Sequence, residues 1–182
     1  MPRKSRRLLG ETVCHHMVQG INKEEIFKTE DNKEKYIELL KKYYKEFKID
    51  IIAYCIMDNH VHMLLYANDI KQISNFMKNI NSIYAMYYNK KTDRVGYVFR
   101  NRFKSVPIMD RKQLYTCIKY IHMNPVKAGK VKEESDYRYS SYNDYLNKTG
   151  FIHEEILKFI FNSSNNYIEK FQSIEYENSK EE

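Results

Sequence analysis

Two imidazoles stand one residue apart in Asn59-His60-Val61-His62. Side chains alternate across an extended strand, so His60 and His62 project from one face and Val61 from the other, close enough to share one metal ion. Two imidazoles make an incomplete site, and a third ligand must come from elsewhere in the chain. Taken alone, the pair also reads as packed or surface histidines. A second group lies downstream in Tyr120-Ile121-His122-Met123-Asn124-Pro125. Helical spacing makes Leu114, Cys117, Ile118 and Ile121 a buried stripe and leaves Tyr120 and Asn124, at i and i+4, on a flanking face. Tyr120 is one of 17 tyrosines and, taken singly, reads as a packed ring. Beside a metal-binding pair it reads as a nucleophile.

A tyrosine hydroxyl, with a pKa of about 10, is a poor nucleophile at neutral pH. A divalent cation on a phosphate oxygen polarises the phosphorus and lowers that demand. Attack on a phosphodiester then yields a phosphotyrosine and a free hydroxyl. One phosphodiester replaces another, so the strand can be rejoined without a nucleotide cofactor. A third feature, Arg100-Asn101-Arg102-Phe103-Lys104, puts Arg100, Arg102 and Lys104 on one face if the run is a strand. Three cations in a row suit a phosphate backbone, with Tyr97, Phe99 and Phe103 available for packing or stacking. A solvated sheet edge is the alternative reading. Arg3, Lys4, Arg6 and Arg7 form a basic arm that suits further phosphate contacts.

The elements that must position these groups follow from periodicity. Cys14 to Val18 reads as a strand. Asn32 to Phe47, with Asp31 or Asn32 as N-cap, is an amphipathic helix. Ile49–Met57 and His60–Tyr66, separated by Asp58-Asn59, two residue types that tolerate positive φ, make a hairpin. Ile70 to Tyr87 is a second helix ending before Asn89. Tyr97–Ile108 is a strand near an edge, and a third helix runs from Asp110 to Asn124, where Pro125 disfavours helical dihedrals in the residue before it. The first six elements match an α+β, ferredoxin-like βαββαβ arrangement, an antiparallel sheet with two helices on one face, and the additional helix carries Tyr120. Tyr137 to Leu146 is aromatic-rich, and Glu154 to Phe171 looks helical before an acidic tail. The expected division is a basic arm over residues 1–10, one domain over 11–149 and an acidic, partly helical extension over 150–182.

Composition narrows the partners. The chain is 182 residues long, 42% hydrophobic and 30% charged, with 5 Gly and 3 Pro, which suits one globular domain with an appendage. No apolar run spans a bilayer, and no secretory signal is legible, so no membrane partner is expected and the expected compartment is the cytoplasm. Cys14, Cys55 and Cys117 are widely spaced without a C-x-x-C, which excludes a disulfide framework and a thiolate zinc site. The net charge of +7 is uneven: residues 1–130 carry 25 Lys/Arg against 13 Asp/Glu, and residues 131–182 carry 6 against 11. The first 130 residues look built to meet a polyanion.

Five separated segments resemble the single-tyrosine HUH (His-hydrophobic-His) transposases, and most of all their REP-associated branch. They are His16-Met17-Val18-Gln19, Met57 to Leu64, Gly96 to Ser105, Tyr120 to Val131 (YIHMNPVKAGKV) and Tyr139-Ser140-Ser141-Tyr142. The resemblance covers about residues 12 to 145, in the family's order. It implies a ferredoxin-like endonuclease fold acting on single-stranded DNA near a hairpin with Mg²⁺ or Mn²⁺. By motif position, His60 and His62 become metal ligands, Tyr120 the nucleophile of a 5′-phosphotyrosine step, and Asn124 the third, amide, ligand. Two positions depart from the pattern: Gly20-Ile21 stands where Arg-Gly is common, and Tyr139 where Trp is frequent. In this family the tyrosine helix serves either its own or a partner's histidine pair, so monomer and homodimer both stand. The competing reading is a non-catalytic ferredoxin-like module that binds single strands by stacking and charge. A zinc hydrolase is disfavoured by the absence of H-E-x-x-H.

Overall fold

The computed structural model describes residues 10–100, 103–147, 150, 152, 154–161, 169 and 171. Arg3, Lys4, Arg6, Arg7 and Arg102 lie outside the described residues. Four strands, β1 (Gly10–Gln19), β2 (Asp50–Ile56), β3 (His60–Tyr66) and β4 (Lys104–Ile108), form one sheet in the order β2-β3-β1-β4 with every pair antiparallel. Between and after them come α1 (Glu30–Tyr43), α2 (Ile70–Thr92), α3 (Arg111–Lys127), α4 (Tyr142–Asn147) and α5 (Glu154–Ile160). This is the α+β, ferredoxin-like order read from periodicity, with α3 as the added helix.

The register sets the two faces. Met17 stands opposite His62, Gln19 opposite His60 and His15 opposite Leu64. Residues directly opposite share a face, so His15, Met17, Gln19, His60 and His62 all look to one side. That side is covered by α3, which packs across β2, β3 and β4. Val61, Met63 and Leu65 point the other way and are fully buried, in the core cluster that also holds Tyr36 and Leu40 of α1 and Phe76 and Tyr84 of α2, the two helices packing on each other.

Several element ends differ from the periodicity reading. Thr29, not Asp31 or Asn32, caps α1 by accepting from the Asn32 N–H at 3.3 Å, and the helix stops at Tyr43, with Lys48 reaching φ 54°. The β2–β3 turn does not use positive φ at Asp58 or Asn59. Neighbours hold it instead: Phe27 N–H donates to the Asp58 carbonyl at 2.8 Å, Gly20 N–H to the Asn59 carbonyl at 2.9 Å, and the Lys33 and Lys130 ammonium groups pair with the Asp58 carboxylate. Gly20 has to be small, because a Cβ there would meet the Glu24 carbonyl oxygen at 2.3 Å. An arginine at position 20 therefore has no room.

Helix α2 opens on a capping box of Asp69 and Gln72 and continues through Asn89 to Thr92, where Asp93 at φ 52° ends it. Tyr97–Ile108 is not one strand. Phe99 forms an isolated bridge to Gly20, and regular pairing begins only at Lys104, opposite Met17. Helix α3 is capped by Asp110, which accepts from the Gln113 N–H at 2.8 Å, and it runs through Pro125 rather than ending before it. A proline this close to the C-terminus removes one ladder bond but fits helical φ. The real stop is Gly129 at φ 65°, with Gly129 N–H donating to Val126 O and Lys130 N–H to Pro125 O.

Beyond α3 the chain returns to the outer edge of the sheet. Ile56 N–H donates to Tyr139 O at 2.9 Å, Ser141 N–H to Tyr54 O at 3.0 Å, and the Ser141 hydroxyl accepts from the Tyr54 N–H at 2.9 Å. These bonds cover the β2 edge, which would otherwise present unpaired backbone groups. Ile156, Leu157, Ile160, Phe161 and Phe171 are buried in the same core as the sheet. Among the described residues, no helix is long and apolar enough to cross a membrane.

Candidate active site

Register and helix phase together bring His60, His62, Tyr120 and Asn124 into one place. The two imidazoles sit on β3 with ring centres 4.8 Å apart and planes nearly perpendicular at 86°. Tyr120 on α3 lies with its ring 5.3 Å from His62, edge to face. Leu114, Cys117, Ile118 and Ile121 are buried beneath it, so the apolar stripe of α3 is what turns Tyr120 and Asn124 toward the histidines. Asn124 donates its amide N–H to the Tyr120 carbonyl at 2.8 Å, which fixes the side chain and presents its oxygen to His60.

The two imidazoles are held in similar ways. His60 Nδ1 lies 2.6 Å from Asn59 Oδ1, and His62 Nδ1 lies 2.9 Å from His15 Nε2. Both Nδ1 atoms are thus engaged, which leaves Nε2 as the nitrogen that could ligate on each ring, with the Asn124 side chain also in hydrogen-bonding reach of His60. Burial pushes the His60 pKa below the usual imidazole value, partly countered by the hydrogen bond with Asn124 and the nearby Asp58 charge. Burial lowers His62 further, and His60 and His15 add to the effect. Neutral imidazoles are the form that binds a metal. Among the described residues no cluster of three His, Cys, Asp or Glu side chains could hold a metal ion. A third protein ligand must therefore be of another type, and the Asn124 amide oxygen is in position for it. Two imidazoles and one amide oxygen could hold a divalent cation with positions left to solvent or substrate, unlike the four protein ligands of a closed structural zinc site.

Cations flank the tyrosine. The Lys127 ammonium sits 5.3 Å from the Tyr120 ring centre, and the charge of Lys104 acts on His15. A groove of about 600 Å³ runs along β4 and α3 and opens on His15 and Tyr120, with Lys112, Gln113 and Thr116 on its wall. A larger groove of about 790 Å³ lies between α2, residues 96–100 and Phe103, lined by Lys78, Asn81, Tyr97, Phe99 and Arg100. Neither His60 nor His62 lines it. Arg100 and Lys104 do not share one regular strand as expected: Arg100 lies in a bend, its N–H donating to Gln19 O at 2.9 Å, and Lys104 opens β4 opposite Met17.

His15 and Asn59 did not stand out as site residues in the sequence. The signal for His15 was nevertheless present: Cys14, His16 and Val18 alternate with His15, Met17 and Gln19. The first set has two apolar members and is buried, so His15 belongs to the less apolar face. Adjacent histidines cannot both face the site, and the face is decided by register, not composition.

A ferredoxin-like sheet that presents a histidine pair to a helix-borne tyrosine and asparagine defines the class of protein. Residues 11–124 match the family of IS200-like transposases. A Haemophilus influenzae protein named as a REP-associated tyrosine transposase is 28% identical over 122 residues, covering 59% of this chain and 69% of its own length. The solved structure of a REP-associated tyrosine transposase bound to a REP hairpin superposes with a TM-score of 0.63 at 16% identity, over 80% of this chain and 86% of the other. The chain belongs to the IS200-like transposase family.

Proposed function

We propose that this transposase cleaves and rejoins single-stranded DNA near a hairpin through a 5′-phosphotyrosine on Tyr120, assisted by Mg²⁺ or Mn²⁺. The carrying observation is the convergence of Tyr120, His60, His62 and Asn124 in one chain, with the tyrosine ring 5.3 Å from His62. His60, His62 and Asn124 would hold the cation, whose chemistry is to draw charge from a phosphate oxygen. Tyr120 Oη attacks the phosphorus. The new bond is Oη–P, the bond that breaks is P–O3′, the phenol proton passes to solvent, and the leaving 3′ oxygen takes a proton to become a free hydroxyl. Reversal by another 3′-hydroxyl rejoins the strand. Lys127 beside the ring favours the developing phenolate. Arg100 and Lys104, with Arg3, Lys4, Arg6, Arg7 and Arg102, would contact the DNA backbone and make binding salt-dependent. The neighbour's bound REP hairpin and the basic first 130 residues support a hairpin-bearing partner.

The test is incubation of the protein with hairpin-bearing single-stranded oligonucleotides and Mn²⁺, resolved on a denaturing gel. A covalent protein–DNA adduct is expected for wild type and not for Tyr120→Phe or with chelator present. An adduct that survives Tyr120→Phe overturns the assignment of the nucleophile. Tight, chelator-insensitive binding with no adduct on any hairpin returns the protein to the non-catalytic binding class.

A further inference from the structure

We propose that His15 is a positioning residue for His62: it accepts the His62 Nδ1 proton, fixes that imidazole in one tautomer and leaves Nε2 as the lone pair for the divalent cation. The inference rests on the metal-dependent reading above. His15 belongs to β1, one strand away from the histidine pair, and lies diagonally across from His62, since it stands opposite Leu64. Its Nε2 is 2.9 Å from His62 Nδ1. The ring centres are 5.0 Å apart with planes 23° apart. The difference between those two distances is about two ring radii, so the facing nitrogens lie on the line joining the ring centres. The rings therefore meet edge to edge, as a hydrogen bond requires, and not face over face.

The direction of that bond follows from its chemistry. Two neutral imidazoles can share only one proton between facing nitrogens. If His15 donated, the proton of His62 would sit on Nε2 and block the one nitrogen free to ligate. If His62 donates, Nε2 carries the lone pair. His60 shows the same arrangement with a different partner: its Nδ1 faces the Asn59 amide oxygen at 2.6 Å, which can only accept. Metal-ligating histidines commonly donate their second N–H to such a partner, and loss of that partner typically weakens metal binding by about 10–100-fold. His15 also lies 6.0 Å from the Tyr120 ring, so its own ring helps enclose the space between nucleophile and ligands.

The experiment compares wild type, His15→Phe and His15→Gln as metal-free proteins titrated with Mn²⁺ by calorimetry. In parallel, long-range proton–nitrogen spectra of histidine-labelled protein report which nitrogen of His62 carries the proton. Glutamine places an acceptor oxygen near the position of Nε2. The expected result is a fall of about 10–100-fold in Mn²⁺ affinity for His15→Phe, recovery toward wild type in His15→Gln, and a fixed Nδ1–H signal of His62 in wild type and His15→Gln only. Circular dichroism checks the fold, and His15→Leu carries the same comparison should the phenylalanine not be accommodated. Wild-type Mn²⁺ affinity in a folded His15→Phe or His15→Leu protein, or a His62 proton found on Nε2 in wild type, overturns the inference. Wild type that binds no Mn²⁺ where His60→Ala also binds none refutes the metal reading of the site itself, a distinct failure.

Discussion

The two faces of the sheet use the same kind of building block in opposite ways. On the α1–α2 face, Phe27, Tyr36 and Tyr84 pack in a triangle with centroid distances of 5.2, 4.8 and 5.3 Å. The polar tips of the tyrosines are fully committed: Tyr36 Oη donates to Asn81 Oδ1 at 2.8 Å and Tyr84 Oη to the Ile26 carbonyl at 2.7 Å. On the α3 face, His15, His60, His62 and Tyr120 also cluster, with Nδ1 of each histidine of the pair held by a neighbouring side chain. Both faces bury rings with polar atoms. What sets the α3 cluster apart is that two imidazoles, a phenol and an amide converge there in one place.

That contrast makes the largest predicted effect one of chemistry without stability. Tyr120→Phe removes the nucleophile from a half-buried ring, so adduct formation should fall by about 10³-fold or more while the melting temperature stays within a few degrees. Truncation on the other face should do the reverse. Tyr84→Ala empties a fully buried site among five aromatic rings and should cost about 3–5 kcal/mol in a denaturant titration. At temperatures where this variant remains folded, its adduct yield should be near wild type. A folded Tyr84→Ala protein that forms no adduct would break the division of labour between the faces. A finer test is Tyr84→Phe, which keeps the packing and removes one of the two donors to the buried Ile26 carbonyl, the Asn32 amide remaining at 3.0 Å, at a cost of about 0.5–1.5 kcal/mol.

The same division explains what the sequence disclosed. Element order and the pairing of His60 with His62 are encoded locally, in alternation of period two and in the helical stripe of Leu114, Cys117, Ile118 and Ile121. Tyr120 and Asn124 followed from the phase of that stripe. The element ends were harder. The β2–β3 turn is held by Lys33, Lys130, Phe27 and Gly20, all distant in sequence, so the turn chemistry of Asp58-Asn59 was a poor guide. Pro125 was overridden by the stop at Gly129 one turn later. The strand expected over Tyr97–Ile108 is regular only from Lys104, because its first part bonds to Gln19, Gly20 and Ile21 at the end of β1 and just beyond it, through one isolated bridge and flanking backbone bonds. His15 needed the β1–β3 register, a nonlocal quantity, before its partner was visible.

His16 supplies the smallest and most discriminating effect, because it is an imidazole on the wrong face for chemistry. It stands opposite Met63, is almost fully buried against the Phe103 ring at 5.3 Å, and neither ring nitrogen has a hydrogen-bond partner among the described residues. Burial, with a smaller contribution from His15, pushes its pKa down to about 3. In the unfolded chain the value returns to about 6.5. Between these two values the unfolded state binds a proton that the folded state does not. Stability from this group is therefore complete above pH 6.5 and is lost as the pH falls toward 3, by up to about 1.4 kcal/mol per pH unit. His16→Phe should flatten the acid limb of the stability–pH curve between 6.5 and 4 by that slope, measured by urea titration at a series of pH values. If the two faces are as separate as their hydrogen bonding indicates, the same variant keeps wild-type Mn²⁺ affinity, whereas His15→Phe, one residue away, does not. Equal losses of metal binding in both variants would mean that β1 acts on the site as a whole strand, and the distinction between its two histidines would collapse.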